Sequence, residues 1–207
     1  AIFGYGIAAF CVFTFEILAG RTLGAENYGK YALSSAISLF LSLLMTVGIT
    51  TAALKYLAQE KNHLMHQKII SAAYLIIFFL VFIAGIAFFI FSSQISKLLS
   101  IPLNIFYTAI FLAGCFSFYN LAIDILRGLH QIKKLSLFRA IYGLLIVLFL
   151  VIFLFVENIS FKAAVFIIGF SYLLIFLLIT INIRSHLSFK IDKIWIKELF
   201  KYGRYVA

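Results

Sequence analysis

The chain has 207 residues, 65% of them apolar and only 12% charged, with a mean hydropathy of +1.14. A soluble domain runs about half apolar and a quarter charged, so this composition excludes a disordered chain, a disulfide-stapled secreted module and an ordinary cytosolic enzyme. A formal charge of +10 would suit nucleic acid, and only the placement of the basic residues decides against that partner.

A helix needs about 20 largely apolar residues to cross the hydrocarbon core. Six stretches meet that demand, approximately 2–20, 31–54, 69–91, 103–126, 140–156 and 162–183. The expected fold is all-α: a polytopic membrane protein whose six transmembrane helices (1–183) form one bundle, followed by a basic amphipathic linker and the start of a seventh span (184–207). Membrane strands are excluded because they alternate polar and apolar residues, whereas 75–91 and 141–156 are apolar all round.

The second, fourth and sixth connections hold 13 of the 17 Lys and Arg residues, and the other three hold 4. The positive-inside rule places the former in the cytoplasm, and the amino end with them, as expected of a multi-pass membrane protein. Charges that alternate loop by loop build no single basic surface, so no nucleic-acid partner is expected. The first span starts at Ala1 without an initiator methionine or charged leader, which argues against a cleavable signal peptide. Both ends read as cut from a longer protein.

In span one, Glu16 lies about 6 Å along the helix from the outer boundary near Gly20. It either snorkels to water or serves a function. Span two carries Ser34, Ser38, Ser42, Thr46 and Thr50 at every fourth residue, a hydroxyl row that winds slowly along one side. Such a row either glues helices together or faces a wet cavity. Spans three, five and six read as lipid-facing scaffold. Span four places Ser117, Asn120, Asp124 and Arg127 on one face at steps of three, four and three. Asp124 and Arg127 can pair there, either in interfacial water or against an aqueous cavity.

After span six, Lys190, Lys193, Lys197, Lys201 and Arg204 lie opposite Leu187, Ile191, Ile194, Trp195 and Leu199, the pattern of an amphipathic interfacial helix. Cys11 and Cys115 have neither disulfide nor zinc spacing. His63, His66, His130 and His186 lack metal-ligand partners at useful spacing. No phosphate loop, nucleophile elbow or zincin helix occurs. Neither a catalytic residue, a metal nor a cofactor is therefore expected.

The run from Arg21 to Tyr31, with Leu23, Gly24, Tyr28 and Gly29 in it, resembles the R-x-L-G-x-x-x-Y-G signature of bacterial polysaccharide biosynthesis flippases, the multidrug/oligosaccharidyl-lipid/polysaccharide (MATE-like) superfamily. Val47-Gly48-Ile49 and Ala53-Leu54-Lys55-Tyr56 at the end of span two, Leu126-Arg127-Gly128 closing span four, and Lys201-Tyr202-Gly203 are similar to that family in the same order. The resemblance implies half of a two-bundle transporter, with the second six-helix bundle as a partner. It implies that a lipid-linked oligosaccharide crosses the bilayer by alternating access, with glycosyltransferases or a polymerase as further partners. On that reading Ser38, Ser42, Thr46 and Asn120 are cavity contacts, Arg21 or Arg127 meets the diphosphate, and Glu16 or Asp124 is a coupling or gating acid. Two rival readings are a cation-coupled drug antiporter of the same superfamily and a non-transporting scaffold for polysaccharide assembly.

Overall fold

A computed structural model describes residues 2–156, 160–187 and 192–206. Every regular element among them is helical: α1 (Ile2–Thr46), α2 (Ile49–Gln59), α3 (His63–Ile90), α4 (Ser92–Leu99), α5 (Leu103–Gly128), α6 (Ile132–Val156), α7 (Phe161–Asn182) and α8 (Lys193–Val206), with a 3-10 turn at Arg184–His186.

A straight helix as long as α1 would reach about 68 Å, more than twice the hydrocarbon thickness. It is not straight. Gly24 has φ 69° and ψ 167°, a region essentially closed to residues with a Cβ, and there the chain turns back on itself. The Tyr28 and Tyr31 hydroxyls reach the Glu16 carboxylate, and the Phe15 and Tyr31 rings meet edge-on at 6.1 Å between centroids. α1 is thus a hairpin of two membrane-crossing arms, 2–23 and 25–46. With α3, α5, α6 and α7 these give six crossings from five long apolar helices.

The sequence suggests one continuous span over 31–54. The structure breaks it at Val47 and Gly48, both left-handed with φ 43° and 67°, and α2 restarts beyond the break. Hydropathy does not register such a turn, because its residues remain apolar. Arg139, which sequence placed in a connection, lies two turns inside α6.

α5 sits at the centre. Leu121, Ala122, Ile125 and Leu126 join Ile49 and Leu57 of α2, Ile69, Ile70 and Ile77 of α3, and Ile175 and Ile179 of α7 in one buried cluster. A second cluster joins Phe15, Leu23 and Tyr31 of α1 to Ile105 and Leu112 of α5, Ile146 and Leu150 of α6, and Val165 and Ile168 of α7. Burial at about 25 cal/mol per Å² of apolar area adds little between helices already in lipid, so close packing and interhelix hydrogen bonds carry the association.

α8 lays Leu199 and Gly203 fully into the bundle, with Trp195 and Tyr202 packed beside them against α2. Trp195, Leu199 and Tyr202 therefore meet α2 and α3, whereas Ile194, expected on the same stripe, is exposed and borders the opposite groove beside the cations Lys197, Lys201 and Arg204. Lys190 and Ile191 lie outside the described residues.

Candidate functional site

The second arm of α1 runs beside α5, and two polar cavities follow one another along that seam. The smaller, about 170 Å³, is lined by Glu16, Tyr31, Ser35, Ser38, Tyr142 and Tyr172 among apolar neighbours. The larger, about 470 Å³, is lined by Ser42, Thr46, Gly48, Thr50, Thr51, Asn120, Asp124 and Arg127. Leu39 and Phe116 border both, so the two spaces adjoin.

The four-residue spacing in the α1 arm divides the hydroxyl row by depth. Ser34 bonds the Thr108 hydroxyl of α5 at 2.9 Å and ties the two helices together. Ser38 faces the smaller cavity, and Ser42, Thr46 and Thr50 the larger. A hydroxyl left unpaired at this depth is costly. Ser38 donates to the Ser35 carbonyl at 2.7 Å, Ser42 to Leu39 at 2.7 Å and Thr46 to Ser42 at 3.0 Å. With their protons held by their own helix, these oxygens present acceptor lone pairs to whatever enters.

Asn120, Asp124 and Arg127 come together on one face of α5, as their spacing requires. The Arg127 guanidinium donates to Asp124 Oδ1 at 3.0 Å, and the Asp124 side chain is 15% exposed. A second guanidinium stands close by: Arg139 of α6 lies 4.3 Å over the Tyr5 ring, with its Nε buried and without a hydrogen-bond partner.

Glu16 turns inward. Its carboxylate accepts from Tyr31 at 2.7 Å and Tyr28 at 3.1 Å. Arg21, by contrast, is exposed three residues before Gly24 and borders neither cavity. It sits at the hairpin tip, whereas Arg127 closes α5 at the opposite end of the bundle.

Sequence reasoning missed the phenols. Tyr142 and Tyr172 stack and Tyr119 meets both at a tilt, with centroids 4.8–5.3 Å apart, and Tyr142 and Tyr172 line the smaller cavity. Spans five and six are thus more than scaffold. The available signal was a single Tyr among the Phe and aliphatic residues of each of α6 and α7, since a buried Tyr hydroxyl normally has a partner. Among the described residues, no group of three or more His, Cys, Asp or Glu side chains is arranged to hold a metal.

Comparison with known proteins follows the same lines. No curated protein matches the chain. Among solved structures, it is similar to a multidrug resistance MATE family transporter of the MOP superfamily in its outward-facing conformation, at TM-score 0.71 and 14% sequence identity. The similarity covers 97% of this chain and 48% of that one, so the chain spans about half the length of the structure it matches. At that identity the likeness is one of fold. A family model described as polysaccharide biosynthesis protein matches residues 2–207, and the chain belongs to that family.

Proposed function

We propose that this chain is one half of a carrier that moves a lipid-linked oligosaccharide across the cytoplasmic membrane by alternating access, in the assembly of a surface polysaccharide such as O-antigen or capsule. The observation that carries the reading is the cavity of about 470 Å³ with Ser42, Thr46, Asn120, Asp124 and Arg127 on its wall, inside a bundle of apolar helices. A glycan headgroup cannot enter a bilayer without replacing its lost water contacts. Hydroxyl oxygens whose protons are already engaged suit that task, because sugar hydroxyls supply the missing donors.

In this mechanism Ser38, Ser42, Thr46 and Asn120 take the glycan. Arg127 meets the diphosphate within the cavity, and Arg21 meets it at the hairpin end of the path. Glu16 and Asp124 are the coupling or gating acids. Each is held by donors, phenolic or guanidinium, that protonation of the acid would release. The basic end and the amino terminus face the cytoplasm. Residues 1–183 act as the bundle and 184–207 as its linker, and a second six-helix bundle closes the cavity. Glycosyltransferases or a polymerase work alongside.

The test is complementation by the full-length parent in cells lacking their polysaccharide flippase. Arg127→Gln is expected to abolish appearance of lipid-linked glycan at the outer face while the protein inserts at normal level, and Arg21→Gln to lower it. Unchanged export by Arg127→Gln would overturn the assignment.

A further inference from the structure

At the hairpin end, α7 begins between two lipid-facing grooves. One, of about 640 Å³, runs between α6 and α7 from Ser160 and Lys162 past Phe149, Phe153, Phe166 and Phe170 to Leu174. The other, of about 390 Å³, lies between α5 and α7 and is bordered by Asn104, Tyr107, Thr108 and Phe111. Lys162 and Phe166 belong to both. Each volume falls in the range of about 300–1,000 Å³ typical of sites for small organic ligands.

The polar groups where the grooves meet are donors. Lys162 brings an ammonium. The Asn104 Oδ1 already accepts from the Ile105 N–H at 2.9 Å, which leaves its amide NH₂ to donate. The Tyr107 hydroxyl accepts from Ser92 at 3.3 Å, which leaves its own proton to donate. No carboxylate among the described residues borders either groove. Two apolar channels diverging from one cationic, donor-rich point complement a molecule with two hydrocarbon chains and one anionic headgroup.

We propose that the grooves on either side of the start of α7 hold the two acyl chains of an anionic glycerophospholipid, whose phosphate sits on Lys162 between Asn104 and Tyr107. Phe166 stands between the chains. The site is separate from the polar cavities and does not depend on what the protein transports. Its lipid would cover the side of α6 and α7 on which Phe153, Phe166 and Phe170 are otherwise exposed.

The test is native mass spectrometry of the detergent-purified full-length protein. The protein is given equimolar phosphatidylglycerol and phosphatidylcholine of matched chains, then a polyprenyl phosphate in place of the glycerolipids. Wild type is expected to retain phosphatidylglycerol preferentially. Lys162→Gln should lower that retention about fivefold, the weight of one basic residue at a lipid surface, and Lys162→Arg should preserve it. Ala163→Phe, which fills the α6–α7 groove and leaves the charge in place, should lower retention of both glycerolipids. Lys97→Gln, at the same end but outside the grooves, should change nothing, which separates a built site from general attraction. Thermal melting identifies any variant that has lost its fold, and Lys162→Gln and Lys162→Arg, both surface changes, decide the matter if Ala163→Phe does. Equal retention of the two glycerolipids, an equal loss with Lys97→Gln, or preference for the single-chain polyprenyl phosphate would overturn the proposal.

Discussion

Glu16 and Tyr31 are 15 residues apart in α1, yet the Tyr31 hydroxyl donates to the Glu16 carboxylate at 2.7 Å. Along a straight helix that separation would be about 22 Å. The bond therefore belongs to the hairpin and locks its two arms in register. A hydrogen bond to a charged group contributes about 1.5–3 kcal/mol. A double-mutant cycle of Glu16→Gln and Tyr31→Phe, read by unfolding in mixed micelles, should return a coupling of about that size. Strict additivity would show that the two side chains act independently.

The turn itself depends on Gly24. Gly24→Ala forces a Cβ into a backbone region that costs about 1–3 kcal/mol, and should lower the unfolding midpoint by a corresponding amount. Gly29→Ala is the control. That glycine is helical with open space where a Cβ would project, so the change should be neutral or stabilising by up to about 1 kcal/mol.

Much of the candidate site was legible because helix periodicity maps directly onto faces. The four-residue hydroxyl row and the steps from Asn120 to Arg127 each needed only one continuous helix to come together. What stayed hidden depends on the backbone or on contacts between distant segments. In the run 31–54 only Gly48 hints at the left-handed pair at Val47 and Gly48, and a lone glycine is common in a membrane helix. Tyr142 and Tyr172 looked like single rings in lipid-facing spans until α6 and α7 were set against α5. The alternation of basic connections already set Arg21 and Arg127 on opposite sides of the membrane, but only the structure shows that Arg127 borders a cavity and Arg21 does not.

The break at Val47 is backed by α8. A Cβ on Gly203 would lie 2.8 Å from the Val47 carbonyl oxygen and 3.1 Å from Ile49 Cδ1. Gly203→Leu should push α8 away from α2 and destabilise the protein by about 1–3 kcal/mol, as overpacking does. The Trp195 ring rests on Tyr56 at 5.6 Å, so its fluorescence should shift to the red as the helix lifts. An unchanged spectrum would mean that α8 keeps its place without that close approach.

A pH effect is expected where the 3-10 turn meets α3. The His186 and His63 rings lie 4.5 Å apart between centroids. Burial holds the His186 imidazole below its ordinary value of 6.5, with His63, His66 and Lys134 adding repulsion. The folded form thus binds fewer protons than the unfolded one, so this contact is stable above that value and weakens as pH falls through and below it. Nearby, Asp192 is held below 3.8 by the Ile194 N–H and Lys68, so its contribution persists until far more acidic conditions. Hydrogen-exchange protection factors at 183–187, which correct for the intrinsic pH dependence of exchange, should fall from neutral pH to about pH 5, and His186→Gln should flatten that response.

Burial is unequal between α3 and α5. Of their most apolar windows, 17% is buried in α3 and 61% in α5. Acyl chains are a fluid that takes the shape of whatever faces them, so the outer side of α3 needs only to stay oily. The Phe78, Phe79 and Phe82 positions should exchange freely with Leu, Ile or Met in a deep mutational scan of export. Leu121, Ile125 and Leu126 of α5 meet neighbours of fixed shape and should tolerate few replacements. Two membrane-crossing helices of one bundle should therefore diverge at very different rates over evolutionary time.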